Sequence, residues 1–241
     1  MPFFARLWEE GKRKLFADTV NQTTYRISAA SFLASAWMAP AALPLVDLVY
    51  RRGQFSFHDS QETAVYFFWF ALSLAFWSAQ AQYARAFYAA GDTLTPMVAS
   101  TIIVAASLPV YKQMFHTFDV PGLAMASDIG IFMHTVVLAW LLHRRKMVLL
   151  DELPWPELIK ALVTATVAAL ISYVVARRVI VRGSRMADLA ALALISATWL
   201  AAVALGLWLT KSSLPQELRR KNRKRIPAEM VPENSAGQME P

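Results

Sequence analysis

Apolar residues gather into six long blocks, at 27–50, 63–84, 96–115, 122–142, 158–176 and 186–209, with short polar stretches between them. Each block is close to the roughly 20 mostly apolar residues that carry a helix across a hydrocarbon core of about 30 Å. The blocks lack the two-residue alternation of barrel strands. The pattern therefore predicts an all-α integral membrane protein with about six transmembrane helices. In the third block, the weakest span signal of the six, Lys112 and His116 shorten the apolar part. In the first block, Ser28, Ser31 and Ser35 fall on one face with alanines beside them, a composition that lets helices approach closely. Pro40 and Pro44 further along it are expected to kink the helix or end its regular hydrogen bonding.

The polar stretches divide the chain into a lead-in (1–26), four helices (27–146), two further helices (147–210) and a basic tail (211–241). The lead-in has no continuous apolar core, so it is not read as a signal peptide. Phe3, Phe4, Leu7, Trp8 and Leu15 would line one side of a short interfacial helix; the alternative is a solvated linker. The tail is polar and proline-rich, which predicts disorder. Its basic run, 219–225, reads as a topology signal, with anionic lipid as the alternative partner.

Between the second and third blocks lies the most informative polar run, Arg-Ala-Phe-Tyr-Ala-Ala-Gly-Asp-Thr-Leu-Thr-Pro, at 85–96. It reads as helix, turn and helix at a membrane surface. Arg85, Phe87 and Tyr88 suit the headgroup region. Gly91 suits the left-handed residue that ends a helix. Thr95 and Pro96 suit the N-cap and first position of the next helix.

Charge then orients the chain. The net charge is +7, but the basic residues sit at block ends rather than on a nucleic-acid-binding face. With both termini cytoplasmic, 17 Lys and Arg residues lie inside and seven outside, the bias that the positive-inside rule requires. The arginines of the fifth-to-sixth loop run against it. The absence of cysteine excludes disulfides, thiolate metal sites and cysteine nucleophiles.

Candidate chemistry is sparse. No nucleophile elbow, phosphate-binding lysine loop or zinc-protease motif is present, and the four histidines are scattered. No enzyme activity, cofactor or metal is expected. Asp128 and His134 are the candidate intramembrane polar positions, since a charged group at mid-span is costly and faces protein or water. Six residues apart, they point about 120° from each other; Asp128 aligns with Thr135, and Ser127 with His134. Hydrogen bonding between helices is the favoured role, and a proton-responsive or headgroup-contacting role the alternative. Asp47 and Asp188 sit near span ends, where they can reach the interface, and structural roles are favoured for both.

The run at 85–96 resembles the R-x-F-Y-A-x-G-D-x-x-T-P stretch of bacterial lipid II flippases of the MurJ/MviN type, members of the polysaccharide, oligosaccharidyl-lipid and multidrug exporter superfamily. Its matching residues are Arg85, Phe87, Tyr88, Gly91, Asp92, Thr95 and Pro96. Other segments resemble the family in the same order. These are Phe4 to Leu7 with Gly11 and Phe16, Arg51 to Phe55 with Asp59, Val120 to Ser127, and the basic end Leu142 to Arg145. Asp128 is a departure, since the family more often has a small or uncharged residue there.

The resemblance implies the last six helices of a two-lobe fold, multi-pass in the bacterial inner membrane. It implies transport of the undecaprenyl-linked cell-wall precursor from the cytoplasmic to the outer leaflet by alternating access. The last two helices would line a lipid-facing groove for the carrier's tail. The family's cavity cations lie in helices that have no counterpart here. The chain is therefore expected to be a truncated homologue or half of a split protein, not competent alone and working with a separately encoded first lobe. The alternatives are a non-transporting membrane subunit or scaffold, or part of an exporter of another polyprenyl-linked glycan.

Overall fold

A computed structural model describes residues 2–179, 184–212 and 214. The basic tail expected at 211–241 lies outside the described residues, apart from Lys211, Ser212 and Leu214. The elements are α1 (Pro2–Glu9), α2 (Arg13–Tyr50), α3 (Phe57–Ala89), α4 (Leu94–Arg144), a short 3-10 turn (Leu150–Glu152), α5 (Trp155–Val179) and α6 (Arg185–Leu209). Among the described residues, five helices, α2 to α6, are long and apolar enough to cross a membrane.

The expected third and fourth spans run together as a single element, α4, of 51 residues. Straight, it would be about 76 Å long. It instead breaks at Asp119 (φ 53°, ψ −140°), and its arms, 94–118 and 120–144, fold back on each other. Ser100 of the first arm lies 3.0 Å from His134 of the second. Gly122 permits the fold-back, because a Cβ there would meet the Met114 carbonyl oxygen at 2.1 Å. Six segments thus run up and down. One end of the bundle, the lead-in end, holds α1, the α3–α4 turn, the 3-10 turn and the end of α4. The far end holds the α2–α3 turn, the bend of α4, the end of α5 and the start of α6.

α2 begins at Arg13, fourteen residues before the span read from hydropathy, so residues 13–26 continue the helix beyond its apolar block. It also runs unbroken through Pro40 and Pro44. α3 starts earlier than its apolar block, because Ser56 and Asp59 form a reciprocal cap: Asp59 Oδ2 accepts from the Ser56 N–H at 2.6 Å, and Ser56 Oγ accepts from the Asp59 N–H at 3.3 Å.

α2 is the central post, with α3, α5 and α6 packed along it. Its small face makes this packing close, and several polar groups of α2 find partners across helices, though the buried Ser35 hydroxyl does not. Ser31 and Ser78 hydroxyls meet at 2.7 Å. The Trp37 indole donates to Ser196 at 2.9 Å and the Trp199 indole to the Leu33 carbonyl at 3.0 Å, tying α6 to α2. Such bonds hold helices together where lipid offers no hydrophobic drive.

Candidate functional site

The run at 85–96 closes the α3–α4 hairpin. α3 stops because Gly91 is left-handed (φ 80°). The Asp92 N–H then bonds the Phe87 carbonyl at 3.0 Å and the Gly91 N–H the Tyr88 carbonyl at 3.1 Å, the pair of bonds that closes a helix at glycine. A Cβ on Gly91 would meet nothing within 4 Å, so conformation, not space, requires the glycine.

α4 begins at Leu94, and the capping expected from Thr95 comes from Asp92 instead. Asp92 Oδ1 accepts from the Thr95 N–H at 2.9 Å, and Oδ2 accepts from the Thr95 hydroxyl at 2.6 Å. A carboxylate suits this place because it also faces the positive end of the helix dipole. Pro96 accordingly sits third in the helix rather than first, still within the turn whose N–H groups have no intrahelical partner.

Asp92 also accepts from Arg145 Nη1, 53 residues away at the end of α4. The Arg145 guanidinium lies 5.8 Å from the Phe87 ring centroid. Desolvation pushes the Asp92 carboxyl up, but the Thr95 hydroxyl and N–H, then Arg145, outweigh it and hold the carboxyl below its ordinary range. One carboxylate therefore joins the end of α3, the start of α4 and the end of α4.

Phe87 does not sit among headgroups. It is fully buried, packed with Phe16, Tyr83, Leu138 and Leu142, while Arg85 and Tyr88 are exposed. Successive helical residues point about 100° apart, so the aromatic pair splits between the bundle and the surface. The same cluster receives α1. Leu7 is buried in it, Phe4 and Trp8 pack on it, and both rings meet Phe16 edge-on at 6.0 and 5.1 Å. The Arg13 guanidinium covers Trp8 at 3.2 Å. Glu10 takes Lys12 at 2.7 Å and Arg6 at 2.6 Å, and these bonds, Lys12 first, hold its carboxyl below the ordinary range.

The intramembrane polar positions lie further along. Asp128 is half-buried beside Ser73 of α3, and its Oδ1 has no hydrogen-bond partner. Thr135, on the same face, donates to the Phe76 carbonyl at 3.0 Å. His134 faces the other arm of α4 and meets Ser100. The structure thus sends Asp128 and His134 to different neighbours.

At the far end, Asp47 and Asp188 are buried in the bundle, in keeping with structural roles. They are only 1% and 7% exposed and share one arginine: Arg51 Nε lies 3.3 Å from Asp47 and Nη2 lies 3.8 Å from Asp188. Sequence reading missed both this cluster and the Asp92–Arg145 pair. For the far-end cluster the i,i+4 spacing of Asp47 and Arg51 was a local signal, whereas Asp188, like Arg145 opposite Asp92, is brought in only by helix packing. Among the described residues, no group of three His, Asp or Glu side chains could hold a metal ion. Chemically, the lead-in end is a joint in which one carboxylate ties together three helix ends, with Arg6, Lys12, Arg13, Lys14 and Arg85 exposed around it.

Three comparisons show what the chain is similar to. The family model described as "Lipid II flippase MurJ" matches residues 1–209. A probable lipid II flippase MurJ from Synechocystis sp. is 26% identical over 151 residues, covering 60% of this chain and 27% of that protein. One from Bdellovibrio bacteriovorus is 25% identical over 152 residues, covering 60% and 28%. A solved structure titled "Lipid II flippase MurJ, inward closed conformation" is similar in fold, with a TM-score of 0.66, 16% identity, and coverage of 85% of this chain and 41% of that one. The chain spans about a quarter of the length of the curated relatives it matches.

Proposed function

Because the chain belongs to the lipid II flippase MurJ family, we propose that it acts as the last six membrane segments of such a flippase. Together with the rest of a two-lobe fold, it would move the undecaprenyl-linked peptidoglycan precursor from the cytoplasmic to the outer leaflet of a bacterial inner membrane. The task is displacement of a lipid by alternating access, with no covalent bond made or broken. The lead-in end faces the cytoplasm, in keeping with its excess of Lys and Arg. The observation that carries this reading is the family match over residues 1–209, a range that includes the Asp92-centred joint. In an alternating-access cycle that joint keeps α3 and both arms of α4 moving as one body. Transporters of this kind rock rigid lobes against each other, and a loose joint would dissipate the movement. Arg85 anchors the joint at the headgroups.

The direct experiment grafts residues 1–209 in place of the matching region of a working relative and asks whether the chimera supports growth of a flippase-depleted strain. Growth is expected from the chimera and not from this chain alone. A chimera that inserts in the membrane yet fails to support growth overturns the reading. Orientation is tested separately, using the absence of cysteine. A membrane-impermeant maleimide applied to intact spheroplasts should label Gln54→Cys and spare Glu9→Cys, both at exposed positions. The opposite pattern overturns the orientation.

A further inference from the structure

α3 and α5 each pack along α2, and the space left between them is an apolar groove of about 700 Å³. Small residues of α2, Ala36, Ala39 and Pro40, form its floor, and Phe76, Leu162 and Tyr173 stand in its walls. Toward the far end it shares Ala39, Pro40, Phe68 and Tyr173 with a second cavity of about 320 Å³. That second cavity has one cation in its lining, Arg177, and one carboxylate, Asp188. Asp188 faces Arg51 at 3.8 Å. Arg177 is exposed and has no carboxylate in ion-pair range among the described residues, and its guanidinium lies 5.2 Å from the Tyr173 ring at the groove's mouth. The result is an apolar slot with a guanidinium at one end that, among the described residues, makes no ion pair within 4 Å. That charge distribution complements an amphiphile with an anionic head.

Length selects among amphiphiles. From Leu162 to Arg177 the groove follows fifteen residues of α5, about 22 Å at roughly 1.5 Å per residue. A bilayer with its headgroup regions is about 40–45 Å thick, so one leaflet is roughly 20–22 Å deep. The slot has the depth of one leaflet from phosphate to chain end, and an undecaprenyl chain would overrun it. The comparable groove between the α4 arms, about 470 Å³, also ends on an arginine, Arg145. That guanidinium is committed to Asp92, so it offers no free charge.

We propose that the α2–α3–α5 groove binds an anionic phospholipid of the leaflet at the far end, with an acyl chain along α2 and the phosphate on Arg177. Arg178 and Arg185 lie near that end of the sequence and favour anionic over zwitterionic heads. The site belongs to the bundle itself and does not depend on the transport reading.

Native mass spectrometry of the delipidated full chain, titrated with dioleoyl phosphatidylglycerol, tests it. One tightly retained lipid is expected. Arg177→Gln should weaken retention about tenfold, the scale of a lost charge-assisted phosphate contact, and Arg177→Lys should restore part of it. Arg178→Gln should leave it within about twofold, since an interfacial basic residue acting through field alone contributes less than a direct contact. Ala169→Trp, which fills the groove, should remove the lipid while Arg177 remains. Equal losses from Arg177→Gln and Arg178→Gln would overturn the proposal in favour of diffuse charge. Retention unchanged in both Arg177→Gln and Ala169→Trp would place the lipid elsewhere. Dioleoyl phosphatidylcholine held as tightly as phosphatidylglycerol would reduce the site to an acyl slot. Undecaprenyl phosphate displacing phosphatidylglycerol at far lower concentration would assign the groove to the carrier instead.

Discussion

Asp92 carries two jobs that substitution can separate. It caps α4 through the Thr95 N–H and hydroxyl, and it holds Arg145. Asn is as good a cap as Asp but carries no charge. Asp92→Asn therefore removes the ion pair and keeps the cap, whereas Asp92→Ala removes both. The Arg145 side chain is 47% exposed and that of Asp92 is 23% exposed, so the pair is worth about 0.2–1 kcal/mol, as for partly solvated pairs. Loss of an N-cap costs about 0.5–2 kcal/mol, typically ~1. The Asn variant should lose less than about 1 kcal/mol and the Ala variant about 1–3 kcal/mol. Reversible unfolding in mixed micelles with increasing dodecyl sulfate reads both values. Arg145→Gln should match Asp92→Asn and add little on top of it in a double-mutant cycle. The carboxyl's pKa is depressed in the folded protein, so its contribution is fully present above the unfolded value of about 3.9. It is lost as the pH falls through the lower folded value, and stability of the wild type relative to Asp92→Asn should therefore decline only below about pH 4. If the Asn variant proves as unstable as the Ala variant, the capping account is wrong and the ion pair dominates the joint.

Other perturbations follow from local geometry and use the same unfolding assay. Gly91→Ala meets open space but must hold φ at 80°, and should cost about 1–2 kcal/mol, the left-handed penalty of an L-residue. Gly122→Ala forces a Cβ to 2.1 Å from the Met114 carbonyl oxygen; since backbone cannot yield as a side chain does, it should cost about 3 kcal/mol or more. Gly206→Ala meets Thr164 Cγ2 at 2.5 Å, and Thr164→Ser, which deletes that methyl, should recover most of the loss. Phe87→Ala empties a fully buried position and should cost about 3–5 kcal/mol; a loss below about 1 kcal/mol would place the ring at the surface after all.

Hydropathy made the spans legible because a bilayer imposes one demand, an apolar length, on every crossing segment. It was blind to whatever lies beyond the lipid. The first fourteen residues of α2 are polar enough to read as a linker, yet they are helical because Phe16 and Val20 insert into the cluster that also holds Phe87. The α3 start was hidden for the same reason. Its cap, Ser56 with Asp59, is a local sequence signature that a window of mean apolarity averages away. The bend at Asp119 lies at the opposite limit. The interruption in hydropathy was visible, but a loop and a kink give the same polar dip. Only the contact of Gly122 with the Met114 carbonyl decides for two helical arms joined by a tight fold-back.

The site was legible where a residue acts through its own backbone and obscure where it acts through a partner. Gly91 announces itself, since a left-handed helix end selects glycine whatever surrounds it. Thr95-Pro96 also looked like a helix start, but the neighbouring Asp92 offers two acceptor oxygens and a charge against one hydroxyl, and takes the cap. Arg145 strengthens that choice from 53 residues away, beyond any local pattern. The buried pair at the far end shows the cost of reading charge by position alone. Asp47 and Asp188 stand near span ends, where a lone carboxylate would reach water. Asp47 instead meets Arg51 four residues on, and helix packing brings Asp188 to the same arginine; a carboxylate that finds a guanidinium has less need of solvent than its place in the chain suggests. Arg177 is the converse. Its chain position marks it as an ordinary interfacial arginine, and only the packing of α3 and α5 on α2 sets it, with no ion pair among the described residues, at the end of an apolar groove. The arginines that matter in this bundle are therefore told apart by the partners the fold supplies or withholds, and hydropathy and charge counts carry no trace of that difference.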